Sequence, residues 1–210
     1  DNLDHATAGG KNDLPLTFNF TATDADGDPV NSSFLVNVTD DVPTAASIDD
    51  KTVIESTADT ADNTFQTATL TNISLNIDWN SDDANAGGTN DRTVAFASSL
   101  DGAIPTGLTS DGAQITYALS NDGTALTATA DGRTVFTVQL SDTGNGTYTF
   151  TLSDNLDHAT AAGNNDLPLT FNFTATDADG DPVDSSFLVH VTDDVPTAAL
   201  IGDQTAIEST

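Results

Sequence analysis

Asp24, Asp26 and Asp28 stand at alternate positions in the run Thr23–Asp24–Ala25–Asp26–Gly27–Asp28–Pro29, and the run returns as Thr176 to Pro182, with Asp177, Asp179 and Asp181. Carboxylates this close repel one another unless a cation sits among them. A loop with a glycine to permit the bend can turn three such oxygens toward one hard divalent ion, which takes six to eight oxygen ligands. Calcium is the expected ion. The pattern is not an EF-hand: counted from Asp24, glycine is fourth and not sixth, and Leu35 stands twelfth, where the bidentate glutamate would be.

A second acidic feature follows each run. Asp40–Asp41 and Asp193–Asp194 come directly before Val-Pro. Neighbouring side chains on an extended segment point opposite ways, so one aspartate can face its own unit and the other the next. Glu55 and Glu208, in Ile-Glu-Ser-Thr just inside the following unit, are expected to complete a calcium site at each junction. Asp78, Asp82, Asp83 and Asp91 are spaced too loosely to form a site on sequence grounds. His5 and His158, each following a pair of aspartates, lack a nucleophile or a second histidine in any defined relation. They read as lone surface residues.

Thirty-three acids against four lysines and arginines give a formal charge of −29. That balance opposes nucleic acid and anionic membrane as partners, since both demand clustered basic side chains. Strongly acidic surfaces also suit salt-adapted proteins. The chain has no cysteine, hence no disulfide or thiolate metal site, and no apolar run long enough to span a bilayer. One Trp and two Tyr offer little for sugar stacking.

The elements that must position the carboxylates follow from repetition. Residues 1–57 align without a gap on 154–210, an offset of 153, and 49 of the 57 positions are identical. Near-perfect repetition points to units that each have a core and contact mainly their neighbours, and it opposes an enzyme. With the linker at Thr39 to Ala45, residues 1–43 are the C-terminal part of one repeat, 44–196 a complete repeat and 197–210 the start of the next. The chain is expected to be a window on a longer array. Within the complete repeat, Ile73, Leu75, Ile77 and Trp79 alternate with polar residues as one half-buried strand. Val94 and Phe96 begin another. A meander follows through Ile115–Leu119, Leu126–Ala128, Val135–Leu140 and Tyr148–Leu152, with turns at Asn121–Asp122–Gly123, Asp131–Gly132 and Gly144–Asn145–Gly146. Leu167–Phe173 and Phe187–Val191 complete an all-β sandwich. Residues 1–43 hold only two or three strands, with apolar faces that need a partner, so disorder or strand exchange with another chain is expected there.

These residues carry a resemblance. Tyr148–Thr149–Phe150–Thr151–Leu152, Leu167–Pro168–Leu169–Thr170–Phe171, the Thr-Asp-Ala-Asp-Gly-Asp loop and Val-Thr-Asp-Asp-Val-Pro-Thr-Ala are similar to the tandem extender repeats of giant bacterial repeats-in-toxin adhesins. The resemblance spans essentially the whole chain, and bacterial cadherin-like repeats share the loop and the acidic exit. It implies an immunoglobulin-like or cadherin-like sandwich, calcium at loops and junctions, type I secretion to the cell surface, and a non-catalytic spacer role in adhesion or biofilm formation. The implied partners are neighbouring repeats of the same chain or neighbouring copies in a fibre. The alternative is a subunit of an extracellular filament or surface layer assembled by strand exchange.

Overall fold

The computed structural model describes residues 5, 10–55, 65, 67–85, 91–158, 163, 165–194 and 202. Its elements are β1 (Asp13–Thr23), β2 (Pro29–Thr39), β3 (Thr44–Ala45), β4 (Lys51–Ile54), β5 (Ala68–Ser74), β6 (Ile77–Asp78), β7 (Thr93–Phe96), a single 3-10 turn (Ser98–Leu100), β8 (Thr109–Ser110), β9 (Ala113–Gln114), β10 (Thr116–Leu119), β11 (Ala125–Ala130), β12 (Arg133–Ser141), β13 (Thr147–Leu152), β14 (Asp166–Thr176) and β15 (Pro182–Thr192). The fold is an all-β sandwich. One sheet runs β10-β11-β12-β13-β5 and the other β4-β15-β14-β7.

Alternation along each strand sends every second side chain into the space between the sheets. Tyr148, Phe150 and Phe136 from the first sheet meet Phe171 and Phe187 from the second. Tyr148 stacks on Phe187 with ring centroids 3.9 Å apart, and Phe136 meets Phe171 edge-on at 6.1 Å. All five rings are buried. The hairpin turns bind the meander locally. Asp131 and Gly132 both adopt positive φ, as a two-residue hairpin loop requires. Gly146 (φ 71°) leaves no room for a side chain: a Cβ there would stand 2.5 Å from Ile77 Cδ1.

The stretch expected as one strand from Ile73 to Trp79 is broken. Asn76 takes φ of 54° between β5 and β6, and Asn72 (φ 53°) lies within β5 where its pairing with β13 shifts register, while Leu75, Ile77 and Trp79 stay buried. Asparagine tolerates this left-handed region better than most residues, so the periodicity of burial survives the loss of strand geometry. The parallel pairing of β4 with β15, Val53 opposite Val191, has no counterpart in the sequence reading.

The repeat provides an internal comparison. β1 and β2 pair with each other as Phe18↔Phe34 and Asp13↔Thr39, and β14 and β15 pair in the same register as Phe171↔Phe187 and Asp166↔Thr192. In the sandwich that hairpin's apolar face is covered. In β1–β2 it is bare: Phe18 is 46% exposed where Phe171 is 1% exposed, and Phe34, Phe20 and Val36 are exposed with it. The expectation of disorder does not describe β1–β2, which is an ordered two-stranded sheet.

Candidate metal centre

β14 and β15 are joined by Asp177–Asp181, and this loop is built around one carboxylate. Asp177 Oδ1 accepts hydrogen bonds from Gly180 N (3.1 Å) and Asp181 N (2.7 Å), and Asp177 N donates to Asp181 O (3.1 Å). Gly180 takes φ of 107°, a conformation that admits glycine alone in practice. The other oxygen, Asp177 Oδ2, is buried with no hydrogen-bond partner among the described residues, and so is Asp179 Oδ1. The carboxylates of Asp177, Asp179 and Asp181 offer oxygens that lie within 4.8 Å of one another.

The exit from the preceding hairpin closes over this loop. Asp40 and Asp179 approach within the same 4.8 Å limit, together with His5, and Asp40, Asp41 and Asp82 form a further group. Gly10 N donates to Asp181 Oδ1 at 2.9 Å, and Ala178 N to the backbone oxygen of Asp82 at 3.0 Å. Six carboxylates therefore gather in three overlapping groups, drawn from the linker (Asp40, Asp41), the segment after Trp79 (Asp82) and the β14–β15 loop. Asp40, Asp177 and Asp181 are each at most 3% exposed. Arg133 is engaged by Asp111 and Asp154, and Arg92 lies over the Trp79 ring.

The electrostatics record the crowding. Loss of hydration on burial, followed by the close approach of the Asp179 carboxyl, pushes the Asp177 carboxyl up to about 7. Asp40 is raised above its ordinary value by burial and then by the charge of Asp179. Burial also pushes Asp41 up, but hydrogen bonds from Ser81 and Asp82 outweigh it and hold this carboxyl low. A buried anion without a counter-charge takes a proton or a cation. A cluster of oxygen donors in which Asp177 Oδ2 and Asp179 Oδ1 make no hydrogen bond could hold a hard divalent cation.

The identical loop of the first hairpin serves as the exposed control. Asp24 Oδ1 accepts from Gly27 N (3.1 Å) and Asp28 N (2.9 Å), so the backbone turn is the same. Asp24, Asp26 and Asp28 are again mutually close, but all three are exposed, and the Asp24 carboxyl is lowered by hydrogen bonds from Asp26 and the Asp28 backbone. Burial by neighbouring segments, and not loop sequence, separates the two copies.

Glu55 stands elsewhere than expected. Parallel pairing carries β4 past the end of β15, where Glu55 N donates to Thr192 O (2.9 Å). Glu55 thus lies beside Asp193 and His158, at the opposite end of the 11-residue strand β15 from the Asp177–Asp181 loop. It does not join Asp40 and Asp41. Asp194 belongs to none of the groups formed among the described residues, and Glu208 lies outside those residues. Asp82, set aside on spacing, joins the centre through a turn that sequence distance conceals. The histidines are not surface residues: the side chains of His5 and His158 are 7% and 5% exposed.

No family model, curated protein or solved structure matches the chain.

Proposed function

We propose that this chain is a calcium-stabilised extender segment of a bacterial surface adhesin, a non-enzymatic spacer that holds a binding tip away from the cell. One observation carries the reading. Buried and half-buried carboxylates from the exit of one unit (Asp40, Asp41) and from the loop of the next (Asp177, Asp179, Asp181) converge, and Asp177 Oδ2 and Asp179 Oδ1 among their oxygens are unpartnered. A divalent ion there is a ligand common to both units and fixes the joint between them. Without it, mutual repulsion of the carboxylates splays the joint. In a longer array Asp193 and Asp194 offer the same exit to a following loop. The immunoglobulin-like character, type I secretion, extracellular placement and biofilm role belong to this proposal through the resemblance of the repeat motifs.

The affinity expected of such an extracellular site is roughly 10⁻⁴–10⁻³ M. Calcium calorimetry on the parent and on Asp177→Asn/Asp179→Asn, with small-angle scattering before and after chelation, tests the reading. The parent binds and shortens on chelation, and the variant does neither. Equal heats in the two proteins would refute it.

A second reading has its own support. The bare face of β1–β2, identical in register to a hairpin that the sandwich covers, suits a filament subunit whose hairpin is completed by another chain. Concentration-dependent assembly in sedimentation, abolished by Phe18→Ser/Phe34→Ser, would favour it over the extender.

A further inference from the structure

The histidine near the start of the repeat occurs twice, and the two copies keep different company. His5 has ordinary partners: Nε2 lies 3.1 Å from Val38 O and Nδ1 3.2 Å from Asp40 Oδ1. Asp179 stands within 4.8 Å of it where His158 has Glu55, but both His5 ring nitrogens already face an oxygen. His158 has that glutamate. Its side chain is 5% exposed, its Nε2 is buried without a hydrogen-bond partner among the described residues, and this nitrogen faces Glu55 Oε1 at 3.5 Å. Glu55 is itself 4% exposed, and the same Oε1 already accepts Leu156 N at 2.6 Å. A carboxylate oxygen of Asp193 lies within 4.8 Å of both.

A nitrogen and an oxygen 3.5 Å apart are too far for a good hydrogen bond. A bare imidazole lone pair aimed at a carboxylate is repelled unless something positive lies between. The separation is instead close to that of two ligand atoms on one tetrahedral ion: bonds of about 2.0–2.2 Å at the tetrahedral angle set nitrogen and oxygen about 3.4 Å apart.

We propose that Glu55, His158 and Asp193 form a site for a divalent transition ion of the zinc class, separate from the all-oxygen centre at Asp177–Asp181. The donor set makes the choice. Imidazole nitrogen suits zinc and its transition-series neighbours, whereas calcium takes oxygen. Three protein ligands leave one position open to water or to a further group. Asp193 can serve here and at a following junction, since a carboxylate has two oxygens. Its counterpart Asp40 already belongs to both a histidine group and an all-carboxylate group. The ion would tie β4 to the loop after β13 at the end of the sandwich where the chain leaves it.

The test is calorimetric titration of zinc chloride into the full chain, alongside His158→Ala, His158→Gln and His190→Ala, each checked for parental circular dichroism. The expected result is at least tenfold weaker zinc binding in both His158 variants and unchanged binding in His190→Ala, whose histidine is held by Asp166 and belongs to no such group among the described residues. The ring nitrogens of the parent, followed by nitrogen-15 NMR during the titration, give a readout that no folding defect can mimic: His158 Nε2 shifts and His190 does not. Asp177→Asn/Asp179→Asn must keep its zinc affinity, so failure of the calcium centre and failure of this site are read apart. Zinc binding that survives loss of His158, or that excess calcium abolishes, overturns the proposal. The first outcome makes His158–Glu55 an ordinary ion pair, and the second makes the trio a calcium site.

Discussion

Replacing Asp177 by asparagine separates the charge of the loop from its shape. The amide oxygen can keep both hydrogen bonds that Asp177 Oδ1 accepts from Gly180 and Asp181, so the turn survives while one buried negative charge is removed. In the parent, burial and Asp179 raise this carboxyl from 3.8 to about 7. Each pH unit of that rise is worth about 1.4 kcal/mol, so the ionised group costs the folded state roughly 4 kcal/mol. The sign follows from proton counting. Between about pH 4 and pH 7 the folded parent holds a proton that the unfolded chain has released, so its stability falls as pH rises through this window. Asp177→Asn lacks that decline. At pH 8 without divalent ions the variant is therefore the more stable, by an amount that moves the melting temperature about 8–16 °C for a sandwich of this size. Below pH 4 the two proteins melt together. Calcium is expected to cancel the advantage by binding the parent: at 1,000 times its apparent dissociation constant it adds about 4.1 kcal/mol, enough to close the gap. Differential scanning calorimetry from pH 4 to pH 8, with chelator and then with calcium, measures all of this. Coincident melts at pH 8 in chelator, or a gap that calcium leaves untouched, would refute the reasoning.

Other outcomes follow from the same structure. Phe171→Ala, which empties a site 1% exposed, is expected to cost about 3–5 kcal/mol, whereas Phe18→Ala at the matching bare position leaves the main unfolding transition within about 0.5 kcal/mol of the parent; urea denaturation compares them. Gly146→Ala combines left-handed backbone with a Cβ 2.5 Å from Ile77 Cδ1 and is expected to lose about 2–4 kcal/mol, visible as a lower urea midpoint. Asp24→Asn is expected to change none of the cation-dependent stability predicted for Asp177, because its loop is exposed; melting in calcium and in chelator checks this.

What the sequence disclosed was local. Turn residues such as Asp131–Gly132 and the alternation from Leu126 to Leu152 depend on neighbours a few positions away, and the hairpin meander can be read from them directly. The loop carboxylates at alternate positions are equally local. What remained hidden required distant segments to meet. Gly10 reaches Asp181 across 171 residues, and Leu156 reaches Glu55 across 101. No periodicity encodes such contacts. They decide why Asp82 joins the centre, why Glu55 leaves it, and why two histidines with unremarkable neighbours in sequence are buried. Even the break at Asn76 was masked, since the buried positions kept their spacing through it.

The parallel pairing of β4 with β15 has a mechanical consequence. The chain enters the sandwich on the N-terminal side of β4 and leaves it at the C-terminal end of β15, and the two strands lie side by side with Lys51 opposite Val189 and Ile54 opposite Thr192. Tension applied to the two ends drags these strands past each other in opposite senses. Their hydrogen bonds, and that from Glu55 N to Thr192 O, are then loaded together in shear and cannot open one at a time like a zipper. β3 and β6, joined over only two residue pairs, give way first and release a short length of slack. The sandwich then resists as a unit, with the strand of highest load placed beside the point where the pull leaves it.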